Sequence, residues 1–214
     1  MYRKIFILGK NFLEIIFTHL LHIREEKTYK IDSKIRNTFV EMYFTHLPRA
    51  IEDCYDEVYE GIKNKVEYAT KGRQSCIFAL HEIDLLGDRY GNSFPHTEVP
   101  EIIHHIRTKV ELLTKQVYDY VLVHIYLNGE SGIAFHSDKE AERSWVCSVS
   151  LKTPRKFRLR RVGETKGFDH EFILGPGDVF VMLPGCQSKY QHAIIPEKRI
   201  TQPRINLTFR QYEI

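Results

Sequence analysis

Two residues that a metal ion could bind lie one residue apart in the stretch IAFHSDKE, at 133–140. His136 offers an imidazole nitrogen and Asp138 a carboxylate, and His192 lies far along the chain. Two histidines and one carboxylate form the facial ligand set of mononuclear non-haem Fe(II) centres, which leaves three iron positions open. The spacing alone is weak, because a second His-x-acid triplet occurs at 96–98. Other residues must decide between the two sites.

The stretch RINLTFR, at 204–210, carries the second chemical signal. In a strand, Arg204, Asn206, Thr208 and Arg210 share one face, and the apolar residues between them share the other. A face of this kind inside a barrel requires an anionic partner, because unpaired buried charge is costly. A dicarboxylic ketoacid would fill two open iron positions and offer its far carboxylate to an arginine. The alternative is a solvated edge strand with two surface arginines.

Taken in order, these elements resemble the AlkB branch of Fe(II)/2-oxoglutarate-dependent dioxygenases. The pattern of that branch is His-x-Asp, a distal His, and Arg-x-Asn-x-x-x-Arg in the last strand. The match covers about residues 118–214. It includes the segments VHIYLNGESGIAFHSDKE, SVSLKTPRKFRLR, LGPGDVFVM and YQHAIIP.

The resemblance implies the ligands of two cofactors. His136, Asp138 and His192 would ligate Fe(II). Arg204 would pair with the C5 carboxylate of 2-oxoglutarate, helped by the Tyr126 hydroxyl.

Four further roles follow from the same resemblance. Arg210 and Asn206 would support the C1-carboxylate end of 2-oxoglutarate. His124 falls where the family often has Asn, so it is either a cosubstrate contact or a satisfied interior histidine. Glu140 matches the acidic residue that approaches the flipped base in repair members, and a solvated loop glutamate is its alternative.

The implied reaction consumes 2-oxoglutarate and O2, and it releases succinate and CO2. It hydroxylates a C–H of an N-alkyl group, and the resulting hemiaminal expels an aldehyde. We therefore expect oxidative dealkylation of bases in DNA or RNA, with single-stranded nucleic acid favoured as the partner. An AlkB-like oxygenase acting on a protein side chain or small molecule is the alternative. A catalytically inactive binding module is a more remote one.

Substrate contacts are less well marked in the sequence. The basic run at 155–161 places Lys156, Arg158 and Arg160 on one strand face, where they would contact phosphates or simply be solvated. Arg73 would be the remnant of the Pro-Arg segment in the nucleotide-recognition lid, but the Pro is absent.

The elements that position these residues change character along the chain. Apolar residues recur at helical spacing in 12–23 and 51–62, and again after Pro100. After residue 118 the period becomes two, with strands predicted at 120–127, 145–151, 156–161, 178–183 and 204–210. We expect an α+β fold, in which N-terminal helices pack against a double-stranded β-helix, or jelly roll. The predicted division is a helical region (1–70), a lid and helix (71–117) and the oxygenase core (118–214).

Composition sets broad limits. The 214 residues are 43% hydrophobic and 28% charged, which is typical of a globular protein. Four dispersed cysteines without a Cys-x-x-Cys pair argue against a structural zinc site and a disulfide framework. Uninterrupted apolar runs are too short for a membrane span. We expect an intracellular monomer, in cytoplasm or nucleus, with no membrane partner, whose net charge of +3 permits a polyanionic partner.

Overall fold

A computed structural model gives the architecture of most of the chain. It describes residues 42–47, 51, 53–66, 68–70, 72–80 and 96–212. The helix predicted at 12–23 lies outside the described residues.

Two antiparallel sheets form the body of the described chain. The strands are β1 (Met42–His46), β2 (Tyr68–Thr70), β3 (Arg73–Ala79), β4 (Tyr120–Tyr126), β5 (Ile133–His136), β6 (Val146–Lys152), β7 (Arg155–Arg161), β8 (His170–Leu174), β9 (Asp178–Met182), β10 (Tyr190–Ile194) and β11 (Arg204–Arg210). The large sheet has the order β1-β9-β6-β11-β4-β3-β2, and the small sheet has the order β5-β10-β7-β8. The arrangement is consistent with the predicted jelly roll.

The five predicted strands are confirmed as β4, β6, β7, β9 and β11, each within one residue of its predicted bounds. Leu127 departs from the prediction, because β4 ends at Tyr126 and Leu127 is exposed. Strands β1, β2 and β3 lie in the regions predicted as helical or lid. The large sheet therefore draws on residues well before 118.

Three helices and one 3₁₀ turn accompany the sheets in the described ranges. They are α1 (Tyr55–Ile62), α2 (Glu101–Thr114), the turn Lys139–Ala141 and α3 (Cys186–Lys189). Pro100 immediately precedes α2, where its restricted φ suits a helix start, and α2 ends at Lys115 in a left-handed conformation. No helix in the described ranges is both long and apolar enough to cross a membrane.

The large sheet is covered on both faces. The apolar sides of α1 and α2 share one buried cluster with the outward residues of β4 and β11, such as Val123 and Leu207. The opposite face packs against the small sheet, where the rings of Phe157 and Phe180 lie 4.7 Å apart. The polar side of β11 is therefore enclosed between the two sheets.

Candidate metal centre

Three side chains predicted as metal ligands come together at one end of the small sheet. His136, Asp138 and His192 each offer one donor atom, and these atoms all lie within 4.8 Å of one another. The two Asp138 oxygens divide between the histidines, since Oδ1 is 3.6 Å from His136 Nε2 and Oδ2 is 3.6 Å from His192 Nε2. Within the described residues, no other three His, Cys, Asp or Glu side chains form such a group.

Strand pairing and a short helix hold these ligands in place. His136 in β5 and His192 in β10 are direct partners across the antiparallel ladder, with ring centroids 4.3 Å apart. Asp138 follows β5 at the start of the 3₁₀ turn, where its backbone N–H donates to Gln187 Oε1 at 3.0 Å. Gln187 is buried and also approaches Met182 Sδ at 3.2 Å. Sequence reasoning missed Gln187, because no motif marks it.

The charges at this centre suit a cation. Burial lowers the pKa of His192 to about 4, against the opposing influence of Asp138, so the imidazole is neutral. Burial would raise the pKa of Asp138, but Arg210 and the two histidines lower it to about 2. Neutral imidazoles and an ionised carboxylate are the protonation states that metal binding requires.

Three other histidines, His96, His104 and His105, lie outside the metal cluster. His96 Nε2 is 2.8 Å from the carbonyl oxygen of Lys65, and its ring lies against Phe78. His104 and His105 are consecutive in α2, where successive side chains point about 100° apart. None of these three belongs to the cluster around Asp138.

A cavity adjoins the three ligands and extends along the inner face of β11, where Asn206, Thr208 and Arg210 line it. Arg204, Asn206, Thr208 and Arg210 are all buried on that face, so the prediction that it lines the interior is confirmed. The edge-strand alternative is wrong, because β11 lies between β6 and β4 in the middle of the large sheet.

Arg204 lies at the far end of β11's inner face as a buried cation that has no carboxylate partner in the described part of the chain. Its side chain is 1% exposed, and Nη2 donates to Ser150 Oγ at 2.9 Å and to Asn206 Oδ1 at 2.7 Å. Its Nε and Nη1 have no hydrogen-bond partner within the described chain. The Tyr126 ring lies 5.3 Å from the guanidinium. A carboxylate is the group that this arrangement lacks.

Comparison with known proteins agrees with this geometry. Residues 53–210, well over half of the chain, match the family model of the 2OG-Fe(II) oxygenase superfamily. The chain belongs to this superfamily.

Similar proteins place this oxygenase among AlkB-like members. An uncharacterized protein of Acanthamoeba polyphaga mimivirus is 28% identical over 181 residues, covering 78% of this chain and 93% of that protein. The DNA oxidative demethylase ALKBH2 of Bos taurus is 26% identical over 178 residues, covering 73% of this chain and 64% of that protein. The human alpha-ketoglutarate-dependent dioxygenase alkB homolog 3 is 25% identical over 127 residues, covering 54% of this chain and 44% of that protein.

A solved structure shows the same fold. The structure of OsALKBH1 superposes with a TM-score of 0.57 at 16% identity, covering 80% of this chain and 97% of that one. Both chains therefore share the two-sheet architecture.

The residues of this oxygenase fit the cofactors of its family, which are Fe(II), 2-oxoglutarate and O2. The ligand cluster supplies two imidazoles, of which that of His192 is neutral, and one ionised carboxylate. Arg204 supplies a buried cation without a carboxylate partner among the described residues, on the same face of β11 as Arg210, which contacts Asp138. Tyr126 pairs with Arg204 across β4 and β11, and His124 pairs with Asn206 in the next row.

Arg210 and Glu140 form an ion pair beside the metal cluster. Arg210 Nη1 donates to Glu140 Oε1, and Nη2 lies 2.7 Å from Asp138 Oδ2. Glu140 is therefore not the solvated loop glutamate of the alternative interpretation. Its role towards a substrate stays a prediction.

The predicted phosphate contacts are located on the outer surface of the small sheet. Lys156, Arg158 and Arg160 alternate with buried residues of β7, so they share one outward face, away from the cavity. Arg158 forms an ion pair with Glu171 at 2.6 Å, and Arg160 Nη2 donates to Gln191 Oε1 at 2.8 Å.

Arg73, the other residue predicted to contact nucleic acid, lies in β3 of the large sheet. Arg73 pairs with Tyr126 across β3 and β4, on the cavity side of the large sheet. Its backbone position is therefore in the same cross-strand row as Tyr126 and Arg204, and not on the basic face of β7.

Arg155 differs from the rest of its basic run. It is 1% exposed and donates to four backbone carbonyls at 2.7–3.3 Å, from the segment after β4 and the segment after β10. Its Nε also lies 3.5 Å from Glu197. Arg155 is therefore not available to phosphate, because its guanidinium is buried and donates to carbonyl groups inside the protein.

Proposed function

We propose that this oxygenase removes alkyl groups oxidatively from N-alkylated bases of DNA or RNA. The observation that carries the cosubstrate part is Arg204, which is buried without a carboxylate partner in the described chain, on the same face of β11 as Arg210, the residue that contacts Asp138. The printed names of the bovine and human relatives, an oxidative demethylase of DNA and an alkB homolog, support the reaction class.

In this proposal His136, Asp138 and His192 hold Fe(II). With O2 and 2-oxoglutarate, the bound iron supplies the oxidising chemistry that hydroxylates the alkyl C–H. Arg204 and Tyr126 bind the C5 carboxylate of 2-oxoglutarate.

The remaining interior residues orient the cosubstrate. Arg210 and Asn206 support its C1 end, and His124 adds a polar contact between the two ends. The apolar rings of the inter-sheet core, such as Phe157, exclude water from this end of the cavity.

The nucleic-acid part rests on position and charge. Strand β7, which carries Lys156, Arg158 and Arg160, pairs directly with β10, which carries His192. A base must leave its stack to reach the metal, so the phosphates on either side would lie on the outer surface of the enzyme. Lys156 has no ion-pair partner within the described chain, and it is the most available of the three cations.

A protein side chain or a small molecule is the second candidate substrate, and specific contacts favour it. Arg158 is neutralised by Glu171, and Glu140 is engaged by Arg210 instead of projecting towards a base. The basic face also points away from the cavity.

A turnover screen separates these candidates. Fe(II)-loaded enzyme is incubated with 2-oxoglutarate and methylated oligonucleotides, methylated peptides or free methylated bases, and formaldehyde and succinate are measured. We expect both products with N-methylated oligonucleotides. Products with peptides or free bases alone would replace the nucleic-acid substrate, and failure to convert 2-oxoglutarate to succinate with any of these substrates would overturn the proposal entirely.

A further inference from the structure

Ser75 and His124 form a half-buried polar pair beside the cavity, which His124 lines. They are direct partners across β3 and β4, and His124 is the direct partner of Asn206 across β4 and β11. Ser75 Oγ lies 2.7 Å from His124 Nδ1. The three side chains therefore form one row across the sheet, next to the row that holds Arg204.

His124 carries a single ring proton. Burial, reinforced by the positive charges of Arg73 and Arg210, lowers the pKa of His124 to about 3, so the imidazole is neutral at physiological pH. A neutral imidazole donates from one nitrogen and accepts at the other, and a neighbouring hydrogen bond selects which. The hydrogen bond with Ser75 therefore decides the tautomer of His124.

The hydroxyl of Ser75 is the natural donor in this pair. Within the described chain, Nδ1 of His124 is the acceptor that Ser75 Oγ reaches, so donation from the hydroxyl uses its proton. The acceptor Nδ1 then has no proton of its own, and the ring proton resides on Nε2. His124 lines the cavity, so an Nε2–H group is available to a ligand there.

We propose that Ser75 is a positioning residue for 2-oxoglutarate. It fixes His124 in the Nε2–H tautomer, and this N–H donates to an oxygen atom of the 2-oxoglutarate bound in the cavity that His124 lines. A carboxylate only accepts hydrogen bonds, so the opposite tautomer would present a lone pair to a negative charge. The inference rests on the proposed function, since it requires 2-oxoglutarate in this cavity.

The direct test is the tautomer itself. Nitrogen-15 NMR of ring-labelled histidine is recorded on Fe(II)-free protein containing Zn(II), with and without 2-oxoglutarate. We expect His124 as the Nε2–H tautomer, with the Nε2 signal perturbed by 2-oxoglutarate. An Nδ1–H tautomer in the presence of bound 2-oxoglutarate would overturn the inference while leaving the proposed function intact. Failure of 2-oxoglutarate to bind at all would overturn both.

Variants separate positioning from a merely structural role. Ser75→Ala should raise the Kd for 2-oxoglutarate roughly threefold to tenfold, because one side chain loses its preset orientation. The value of kcat at saturating 2-oxoglutarate should stay near that of the wild type. Ser75→Thr, which keeps the hydroxyl, should restore binding. Thr108→Ala removes a hydroxyl from the exposed side of α2 and serves as the matched control.

A double-mutant cycle completes the test. His124→Gln places an amide N–H near the Nε2 position but has no atom equivalent to Nδ1. Ser75→Ala should therefore change the Kd little in the His124→Gln background. An equal effect of Ser75→Ala in both backgrounds would show that Ser75 acts on the sheet and not through His124.

Discussion

Replacing Arg204 by Met should separate function from stability at one buried position. Met has a comparable length without charge, and Arg204 is 1% exposed on the inner face of β11. Because a carboxylate partner is lacking in the described chain, we expect the substitution to weaken 2-oxoglutarate binding strongly and to affect folding little.

The magnitudes follow from the surroundings of the guanidinium. Burial, with Arg155 nearby, lowers the pKa of Arg204 to about 10. At about 1.4 kcal/mol per pKa unit, keeping this charge in the folded protein costs about 3 kcal/mol. Met removes that cost, and it also removes hydrogen bonds to Ser150 and Asn206 that stabilise by about 1 kcal/mol each. The free energy of unfolding should therefore change by no more than about 1–2 kcal/mol.

Binding should change far more. Truncating one partner of a buried, hydrogen-bonded charge pair costs about 2–5 kcal/mol of binding free energy. This cost corresponds to an increase in Kd of between roughly 30-fold and several thousandfold. Calorimetric titration of anaerobic Fe(II)-loaded protein with 2-oxoglutarate measures the Kd. Urea denaturation of the metal-free protein measures the free energy of unfolding.

Arg155→Met is the matched control. Arg155 is equally buried, but four carbonyls and Glu197 already engage it. Its replacement leaves those groups without a partner and should destabilise the fold by about 3–5 kcal/mol. The reasoning fails if Arg204→Met destabilises the protein as much as Arg155→Met does, or if its Kd for 2-oxoglutarate stays within threefold of the wild type.

Three other outcomes are expected. His192→Ala should abolish Fe(II)-dependent succinate formation, whereas His96→Ala, which removes only a hydrogen bond to a carbonyl, should retain it; the opposite result would move the metal site. Charge reversal at Lys156 and Arg160 should weaken oligonucleotide binding for all sequences alike. The slope of log K against log salt concentration should fall by about 1 for each phosphate that the enzyme no longer binds. An unchanged slope, measured by fluorescence anisotropy, would exclude the β7 face as the site of phosphate contact. Glu140→Ala should alter formaldehyde release more than oligonucleotide affinity, because it frees the guanidinium beside the metal ligand, and a change in affinity alone would contradict this.

The alternation of residues along single strands predicts which side chains of the candidate site share a face. A period of two places Arg204 and Arg210 on one face of a strand whatever the rest of the fold does, and it places Tyr126 and His124 on one face of another. The spacing in IAFHSDKE likewise keeps His136 and Asp138 close, because one residue separates them. These local rules predicted five strands and the polar lining of the cavity correctly.

Local rules failed where partners are remote in sequence. Residues 73–79 lie in the predicted lid region, where no strand is predicted, yet they form strand β3, which pairs with β4. Arg155 and Arg158 look alike in the sequence, but one binds carbonyls in the interior and the other lies on the surface.

The sequence by itself determined the residue types of the metal centre and the face on which each strand residue lies, since both follow from spacing along one strand. Only the tertiary structure decided which strands are neighbours. It placed His192 opposite His136, Ser75 beside His124, and Glu140 against Arg210. The physical reason is that strand alternation fixes a direction but no partner, and pairing is chosen by burial of the whole sheet between its helices and the opposite sheet.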